Sequence, residues 1–292
     1  MSMSHRQGLV ALPLLTLLGV LIMLATPSVG TAQDATWQFG STSSFSSGTY
    51  GTGTSTDVLY TPVIARRLFR DGDLTFVFPF TCIWGDGSVT LVNGSATPQQ
   101  RPAATGATAD RGTRTTATTS TSATNAGPQR NCGMGDIVVR GRYFAVDEHG
   151  WVPTIAVRAH VKTPTASAER ELGTGRPDEG FGIEVSRTSA GGSTFMVDGG
   201  YTFIGKPAGV VYKNNWWYDV GIAQDLAKGA LNLSVFFDED RTIVPGFENA
   251  RDILAALSVK GGRGWRLQIS GELGLSDGAP DHGVTFGASR RF

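Results

Sequence analysis

Excess charge, cysteine and long apolar runs are all scarce in this chain of 292 residues. Its 25 Lys and Arg balance 25 Asp and Glu, and no block of like charges interrupts the sequence. A nucleic-acid partner is therefore not expected, because such partners are bound through an excess of basic residues that neutralises phosphates. The 2 cysteines have no histidine near them, so we predict neither a metal site nor another cofactor.

Charged residues make up only 17% of the chain, whereas soluble domains carry about a quarter. Glycine is abundant instead, with 39 residues, which is about twice its average share. A chain with so few charges has little with which to cover a large water-exposed surface. The composition therefore favours β-structure over a large soluble domain.

The one long apolar run lies at the N-terminus, in residues 9–25. His5 and Arg6 precede the run, and the small residues Gly30-Thr31-Ala32 follow it, which is the three-part pattern of a secretory signal peptide. We predict that residues 1–32 are a signal peptide and that residues 33–292 are exported. An uncleaved anchor helix is the alternative, although the run is short for a span of about 20 residues.

Short segments that alternate between apolar and polar residues follow one another through the exported part. In residues 135–145, Val139 and Tyr143 share one parity and Arg140 and Arg142 the other, which is the period of a β-strand. About twelve such segments are predicted. They lie near residues 37–47, 56–69, 73–84, 135–145, 151–163, 180–188, 194–204, 215–226, 230–239, 251–260, 264–274 and 282–292.

The connections between these segments alternate in length. Short turns that contain glycine, such as residues 70–72, follow every even segment, and longer loops follow the odd ones. Short periplasmic turns, long extracellular loops and an even strand number are typical of outer-membrane barrels, whose apolar face is covered by lipid. We therefore predict an all-β fold, a transmembrane antiparallel up-and-down β-barrel of about 12 strands, in the outer membrane of a Gram-negative-type bacterium.

Aromatic residues cluster near the predicted strand ends, where the two membrane interfaces would lie. The periplasmic set consists of Trp37, Phe69, Trp151, Trp265 and Phe292, and the extracellular set of Trp84, Trp216 and Tyr218. We interpret the two sets as interfacial girdles. Core packing is the alternative for any one of these aromatic residues taken alone.

The last segment resembles the C-terminal signature of bacterial outer-membrane barrels, since residues 281–292 alternate apolar and polar positions and end in Phe292. That resemblance implies that the barrel assembly machinery recognises Phe292. The motifs Leu172-Gly-Thr-Gly175, Gly199-Gly-Tyr-Thr202 and Asp281-His-Gly283 resemble the outer-membrane "transporter" family described as "putative MetA-pathway of phenol degradation". This resemblance implies uptake of small solutes, including aromatic or hydrophobic ones.

One connection, at about residues 85–132, is much longer than the others and is rich in Ala and Thr. From Gly94 to Arg130 it has almost no large apolar residue, so we predict a mobile extracellular loop. Cys82 and Cys132 flank its base, and we predict a disulfide between them because the chain is exported. Two separate thiols are the alternative.

The polar parity of the strands would face the lumen and carry ions of both signs. The predicted cationic wall consists of Arg140, Arg142, Arg158, His160 and Lys162, and the acidic wall of Glu184, Asp198, Asp219, Asp238 and Glu272. Two such walls could set up a transverse field that orients dipolar solutes. In the alternative interpretation, these ions pair with one another and fill the interior.

The pattern predicts an outer-membrane channel for passive uptake of small solutes rather than an enzyme. A lipid hydrolase would need a serine activated by histidine. The exported histidines, His149, His160 and His282, have no evident serine partner at the lipid face, and we predict no catalytic residue. The alternative function is a structural or adhesive surface protein with a plugged lumen, in which the long loop is the working part.

Overall fold

The computed structural model describes residues 36–92, 94–99 and 129–292 of the chain. The predicted signal peptide at residues 1–32 lies outside the described residues, as do residues 100–128 of the long loop. The helical segments within the described ranges are single 3₁₀ turns, and none of them is long and apolar enough to cross a membrane.

Strands of 9 to 14 residues dominate the fold, with three shorter strands between the third and fourth long ones. The strands are β1 (Thr36–Gly48), β2 (Thr56–Phe69), β3 (Gly72–Gly85), β4 (Val89–Val92), β5 (Ser95–Pro98), β6 (Gln129–Met134), β7 (Val138–Val146), β8 (Thr154–Lys162), β9 (Asp178–Thr188), β10 (Ser193–Phe203), β11 (Asn215–Leu226), β12 (Leu231–Asp240), β13 (Ala250–Lys260), β14 (Trp265–Gly274) and β15 (His282–Arg291).

Antiparallel pairing closes these strands into a barrel of 12 positions. Each long strand pairs with its neighbours in chain order, and β1 closes the ring by pairing with β15 from Gln38↔Arg291 to Ser47↔His282. One position is shared, because β6 and β7 both pair with β3. The predicted all-β fold of about 12 antiparallel strands is therefore confirmed.

Apolar side chains cover the outside of the barrel. Leu267 and Phe286, on β14 and β15, are 55% and 58% exposed, and Ile183 and Phe195 are exposed in the same way on β9 and β10. The opposite parity points into the barrel. Apolar side chains that are exposed all around the barrel are stable only when lipid covers them, because their exposure to water is unfavourable.

The two ends of the barrel differ in the length of their connections. At the turn end, short turns join the strands and the two terminal strands meet, with Phe292 N donating to Trp37 O at 2.8 Å. In outer-membrane barrels this end is periplasmic. Trp37, Phe39 and Phe292 form a chain of ring contacts there, and Trp216 and Tyr218 stack at the loop end. Both contacts lie where the interfacial girdles are predicted.

A hairpin of β4 and β5 folds back into the loop end of the barrel. Leu91 packs against Ile83 of the wall and Leu172 of a neighbouring loop, and Val92 joins a second buried cluster with Tyr212 and Val244. The strand β5 lies within residues 94–130, for which an irregular mobile loop is predicted. The difference arises because residues 89–92, just before that range, provide the apolar side chains that attach the hairpin to the wall.

Candidate functional site

A cavity of about 940 Å³ occupies the inside of the barrel. Val92 and Pro280 line it near the loop end, and Gln38 and Ser289 line it near the turn end. The cavity therefore extends along most of the barrel axis. Its lining comes from the inward parity of the strands, which is the polar parity.

Four of the five residues predicted for the cationic wall line this cavity. They are Arg140, Arg142, Arg158 and His160, which lie on the adjacent strands β7 and β8. Their pairing in the sheet brings them together, since Arg140 is opposite His160 and Arg142 is opposite Arg158. The wall is formed because positively charged residues recur at alternate positions of two paired strands.

Ion pairs neutralise much of this wall. Arg142 donates to Asp73 at 2.9 Å and pairs with Glu184 at 3.2 Å, and Arg66 donates to the same Asp73 at 2.6 Å. Arg158 pairs with Asp198 and lies over the ring of Trp217. Within the described ranges, no carboxylate pairs with Arg140.

Lys162 occupies a different place from its predicted position in the lumen lining. Its side chain is completely buried, and Nζ lies 3.1 Å from Asp136 and 2.8 Å from Asp178. Thr174 accepts a further hydrogen bond from Nζ at 3.0 Å. Lys162 is the last residue of β8, where the wall meets the loop at residues 163–177, so its charge connects loop and wall.

The acidic residues form a row across five neighbouring strands. Glu184, Asp198, Asp219, Asp238 and Asp252 are opposite one another in successive strand pairs. Glu272, on the next strand, lines the cavity together with Asp238 and Asp252. In the part of the chain that the structure describes, no cation pairs with Asp219, Asp238, Asp252 or Glu272. Of the predicted acidic wall, Glu184, Asp238 and Glu272 line the cavity, whereas Asp198 and Asp219 have the same parity but are not among its lining residues. The role of both walls in a pore therefore stays a prediction.

Trp217 is a lumen residue that the sequence reasoning missed. The neighbouring Trp216 and Tyr218 face outward, so Trp217 faces inward by the strand period, and it lines the cavity. Its ring lies against Gly182 and Gly200 on the two preceding strands. The glycines at facing register positions are the signal that could have identified it.

Tyr50 closes part of the cavity at the loop end. It is only 1% exposed, and its hydroxyl forms a hydrogen bond of 3.1 Å with Ser46. Burial raises the pKa of the Tyr50 hydroxyl to about 12. The hydroxyl therefore stays protonated at neutral pH.

Cys82 and Cys132 form a disulfide in the structure, between directly opposite residues of β3 and β6. The bridge lies at the base of the long connection, where it fixes β6 to the wall. Two free thiols, the alternative interpretation, do not occur here.

The histidines are far apart in the fold. His149 lies in a short turn and its ring contacts the carbonyl of Asp147, whereas His160 is in the lumen, 3.5 Å from the Thr202 hydroxyl. His282 begins β15. Among the hydrogen bonds of the described residues, none joins a histidine to a serine, and in those same residues no group of three His, Cys, Asp or Glu is arranged to hold a metal ion.

Comparison with known proteins identifies a sequence family and several structures with a similar fold. A family model described as "Putative MetA-pathway of phenol degradation" matches residues 96–292. Among curated proteins, no sequence matches the chain significantly.

The structural similarity is to outer-membrane barrels at low sequence identity. An outer-membrane channel from Pseudomonas putida F1 has a TM-score of 0.58 at 10% identity, and the match covers 91% of this chain and 100% of that one. The β-domain of a Bordetella autotransporter has a TM-score of 0.46 at 10% identity, covering 89% and 100%. The first of these similarities establishes a shared fold.

Proposed function

The chain belongs to the family described as "Putative MetA-pathway of phenol degradation", and its fold is that of an outer-membrane barrel; we propose that it is a passive channel for small solutes. The observation that carries this proposal is the cavity of about 940 Å³ along the barrel axis. A barrel that served only as an anchor would not need a polar interior of that size.

The polarity of the cavity supports transport rather than storage of an apolar ligand. Arg140 and Asp238 line it from opposite walls, and neither is part of an ion pair among the described residues. Unpaired charges at a cavity surface interact with water and with solutes that pass. The P. putida barrel with the same fold is a channel, which agrees with the proposal.

The solute class is a narrower part of the proposal. Family membership favours small aromatic or hydrophobic solutes, because the family is named for a pathway that degrades phenol. The partners would be outer-membrane lipid around the barrel and the solute inside it. We also propose that the assembly machinery recognises Phe292, which is 62% exposed at the turn end.

A second candidate function is a structural or adhesive surface protein with a plugged lumen. The specific observation in its favour is the hairpin of β4 and β5, which reaches into the loop end and buries Val89 and Leu91. In that case the long connection would be the functional part and the barrel its anchor.

Conductance across planar bilayers tests the two candidates. The native protein is expected to give discrete current steps, and a variant with residues 88–99 replaced by a short Gly-Ser linker is expected to give larger ones. A membrane with detergent extract but no protein serves as the control. Absence of steps from both proteins would reject the channel and favour the plugged barrel.

Extraction and gel migration test the barrel itself in the same preparation. We expect that the protein leaves membranes only with detergent, and that an unboiled sample migrates differently from a boiled one. Gel migration also shows which preparations are folded, so that an absence of conductance is not confused with a failure to fold.

A further inference from the structure

Three inward-facing rings on β8 to β12 lie over glycines of neighbouring strands. A Cβ added at Gly200 would lie 2.3 Å from the Phe181 carbonyl oxygen and 2.6 Å from the Trp217 indole, and one added at Gly182 would lie 2.8 Å from the Gly199 carbonyl oxygen and 3.1 Å from the indole. The His160 ring covers Gly180 in the same manner, and Phe236 covers Gly221. The rings thus occupy the space of missing side chains.

This arrangement has a cost for the sheet. Glycine in the interior of a strand is destabilising by roughly 0.5–1 kcal/mol relative to alanine, because the unfolded chain loses more freedom. The inward positions of β9 and β10 contain three such residues close together, Gly180, Gly182 and Gly200. These glycines let the indole of Trp217 lie along the wall, over the two preceding strands.

The rings lie next to Arg140, which forms no ion pair with any residue that the structure describes. Arg140 is opposite His160 in the pairing of β7 with β8, and His160 is opposite Gly180 in the pairing of β8 with β9. Neighbouring strands are about 4.8 Å apart and alternate residues about 7 Å apart, so the Arg140 backbone lies roughly 5 Å from that of His160 and roughly 12 Å from that of Gly182, which the Trp217 ring covers. The long Arg140 side chain shortens the distance that a small organic molecule has to span.

Resting on the proposed channel function, we propose that this ring-backed wall is the solute-contact site of the lumen, with Trp217 as its specificity-determining residue, for small planar solutes that carry an anionic group. The guanidinium of Arg158 lies over the Trp217 ring, 5.5 Å from its centroid, so the flat part of the solute contacts this guanidinium, which Trp217 holds from the wall side, and the His160 ring. Arg140 binds the anionic group, because a guanidinium presents paired donors to a carboxylate.

The acidic row on the other side of the lumen determines which way the anionic group of the solute points. Asp238 and Asp252 line the same cavity on β12 and β13, five and six strands around the barrel from Arg140. A cluster of carboxylates disfavours a further anionic group on that side, whereas Arg140 attracts one. A planar anion therefore has one favourable side of the lumen, and that side holds the rings.

Single-channel conductance in potassium chloride tests the role of the glycines. We expect Gly180→Ala to lower the conductance because its three nearest neighbours are side-chain atoms of His160 and Thr202, so that the added methyl group pushes the His160 ring into the lumen, and Trp217→Ala to raise it. His160→Ala in the Gly180→Ala background should return the conductance to at least the native value. Gly271→Ala is the matched control, since a Cβ there has no neighbour closer than 4.0 Å. Equal conductance of native, Gly180→Ala and Trp217→Ala would overturn the proposal.

Block of the current by added acids tests the solute class. Benzoate and cyclohexanecarboxylate have the same charge and similar size, but only benzoate is planar. We expect benzoate to block the native channel at lower concentration, and Trp217→Ala to remove this preference, raising the blocking concentration of benzoate about fivefold. Arg140→Gln should weaken block by both acids. Equal block by the two acids in the native protein would overturn the proposal.

The outcomes separate this inference from the channel function on which it rests. If the folded native protein gives no current steps, both fail together. If it conducts but neither the glycine nor the tryptophan variants change conductance or block, the channel function stands and the ring-backed wall is rejected as its contact site. Gel migration of each variant identifies any that do not fold, and Trp217→Ala removes atoms only, so it tests the wall even if Gly180→Ala fails.

Discussion

Lys162 shows how much a single residue contributes to the loop end of the barrel. Its ammonium group is completely buried between Asp136 and Asp178, so each charge depends on the others for its stability. The cost of taking three charges out of water is offset only while all three are present. The arrangement joins the end of β8 to the connection before β7 and to the start of β9.

We expect Lys162→Met to lower the free energy of unfolding by about 3–5 kcal/mol, because it leaves two buried carboxylates unpaired. Unfolding in guanidinium measures the change. Lys206→Met, at an exposed loop position, is the control and should have little effect. Replacing both aspartates by asparagine in the Lys162→Met background should recover most of the loss. No recovery would contradict the proposed dependence on charge.

Tyr50 predicts a pH dependence at the same end. The pKa of its hydroxyl is about 12 in the folded chain and about 10 in an unfolded one. Below pH 10 the hydroxyl is neutral in both states, whereas between pH 10 and 12 it ionises in the unfolded state only. Stability should therefore fall by about 3 kcal/mol over that range.

Comparison with Tyr50→Phe isolates this effect from other groups that titrate at high pH. The variant lacks the hydrogen bond to Ser46, so it should be less stable at pH 8 and lose less stability up to pH 12. Unfolding midpoints at intervals between these values give the two curves. Parallel curves would show that the Tyr50 hydroxyl does not contribute to the pH dependence of stability.

Among the elements, the long strands could be predicted from the sequence, whereas the hairpin could not. A period of two follows from the geometry of a strand between lipid and lumen, so twelve segments show it directly. The segments β4 and β5 have only 4 residues each, too short for a clear period. Their position depends on contacts with distant loops, which no local pattern reveals.

The same distinction applies within the candidate site. Strand parity places Arg140 and Asp238 on the inward face without any structural information. It does not show that Arg142 pairs with Asp73, or that Lys162 is buried, because those contacts depend on the barrel register and the loop path. The flat position of Trp217 depends on glycines of two other strands.

The hairpin gives a prediction at the scale of the element. Leu91 is 4% exposed and packs against the wall, so Leu91→Ala should favour release of the hairpin by about 2–5 kcal/mol. Conductance should rise while the unfolding midpoint of the barrel changes little, since no barrel strand pairs with β4 or β5. Leu275→Ala, at an exposed loop position, is the control. Unchanged conductance with a lower midpoint would show that the hairpin supports the barrel instead.

For the whole molecule, the equal numbers of acidic and basic residues conceal an uneven distribution. Arg142 on β7 forms ion pairs with Asp73 and Glu184, and Arg158 on β8 forms one with Asp198. Among the described residues, the carboxylates on β11 to β14 that face inward form no ion pair with a cation. A neutral chain therefore encloses a cavity with one side of negative potential, which favours cations over simple anions along that side.

Ion selectivity tests this distribution in the assembled barrel. With a gradient of potassium chloride across a bilayer, the reversal potential of the native channel should indicate preference for potassium. Asp238→Asn with Asp252→Asn should shift it towards chloride, because these two unpaired carboxylates line the cavity. Arg140→Gln should shift it the opposite way. Glu239→Gln is the control, since its carboxylate bonds to Tyr218 on the outward face. If the double aspartate variant keeps the native reversal potential, the acidic row does not govern the current, and paired charges that merely fill the interior become the better account.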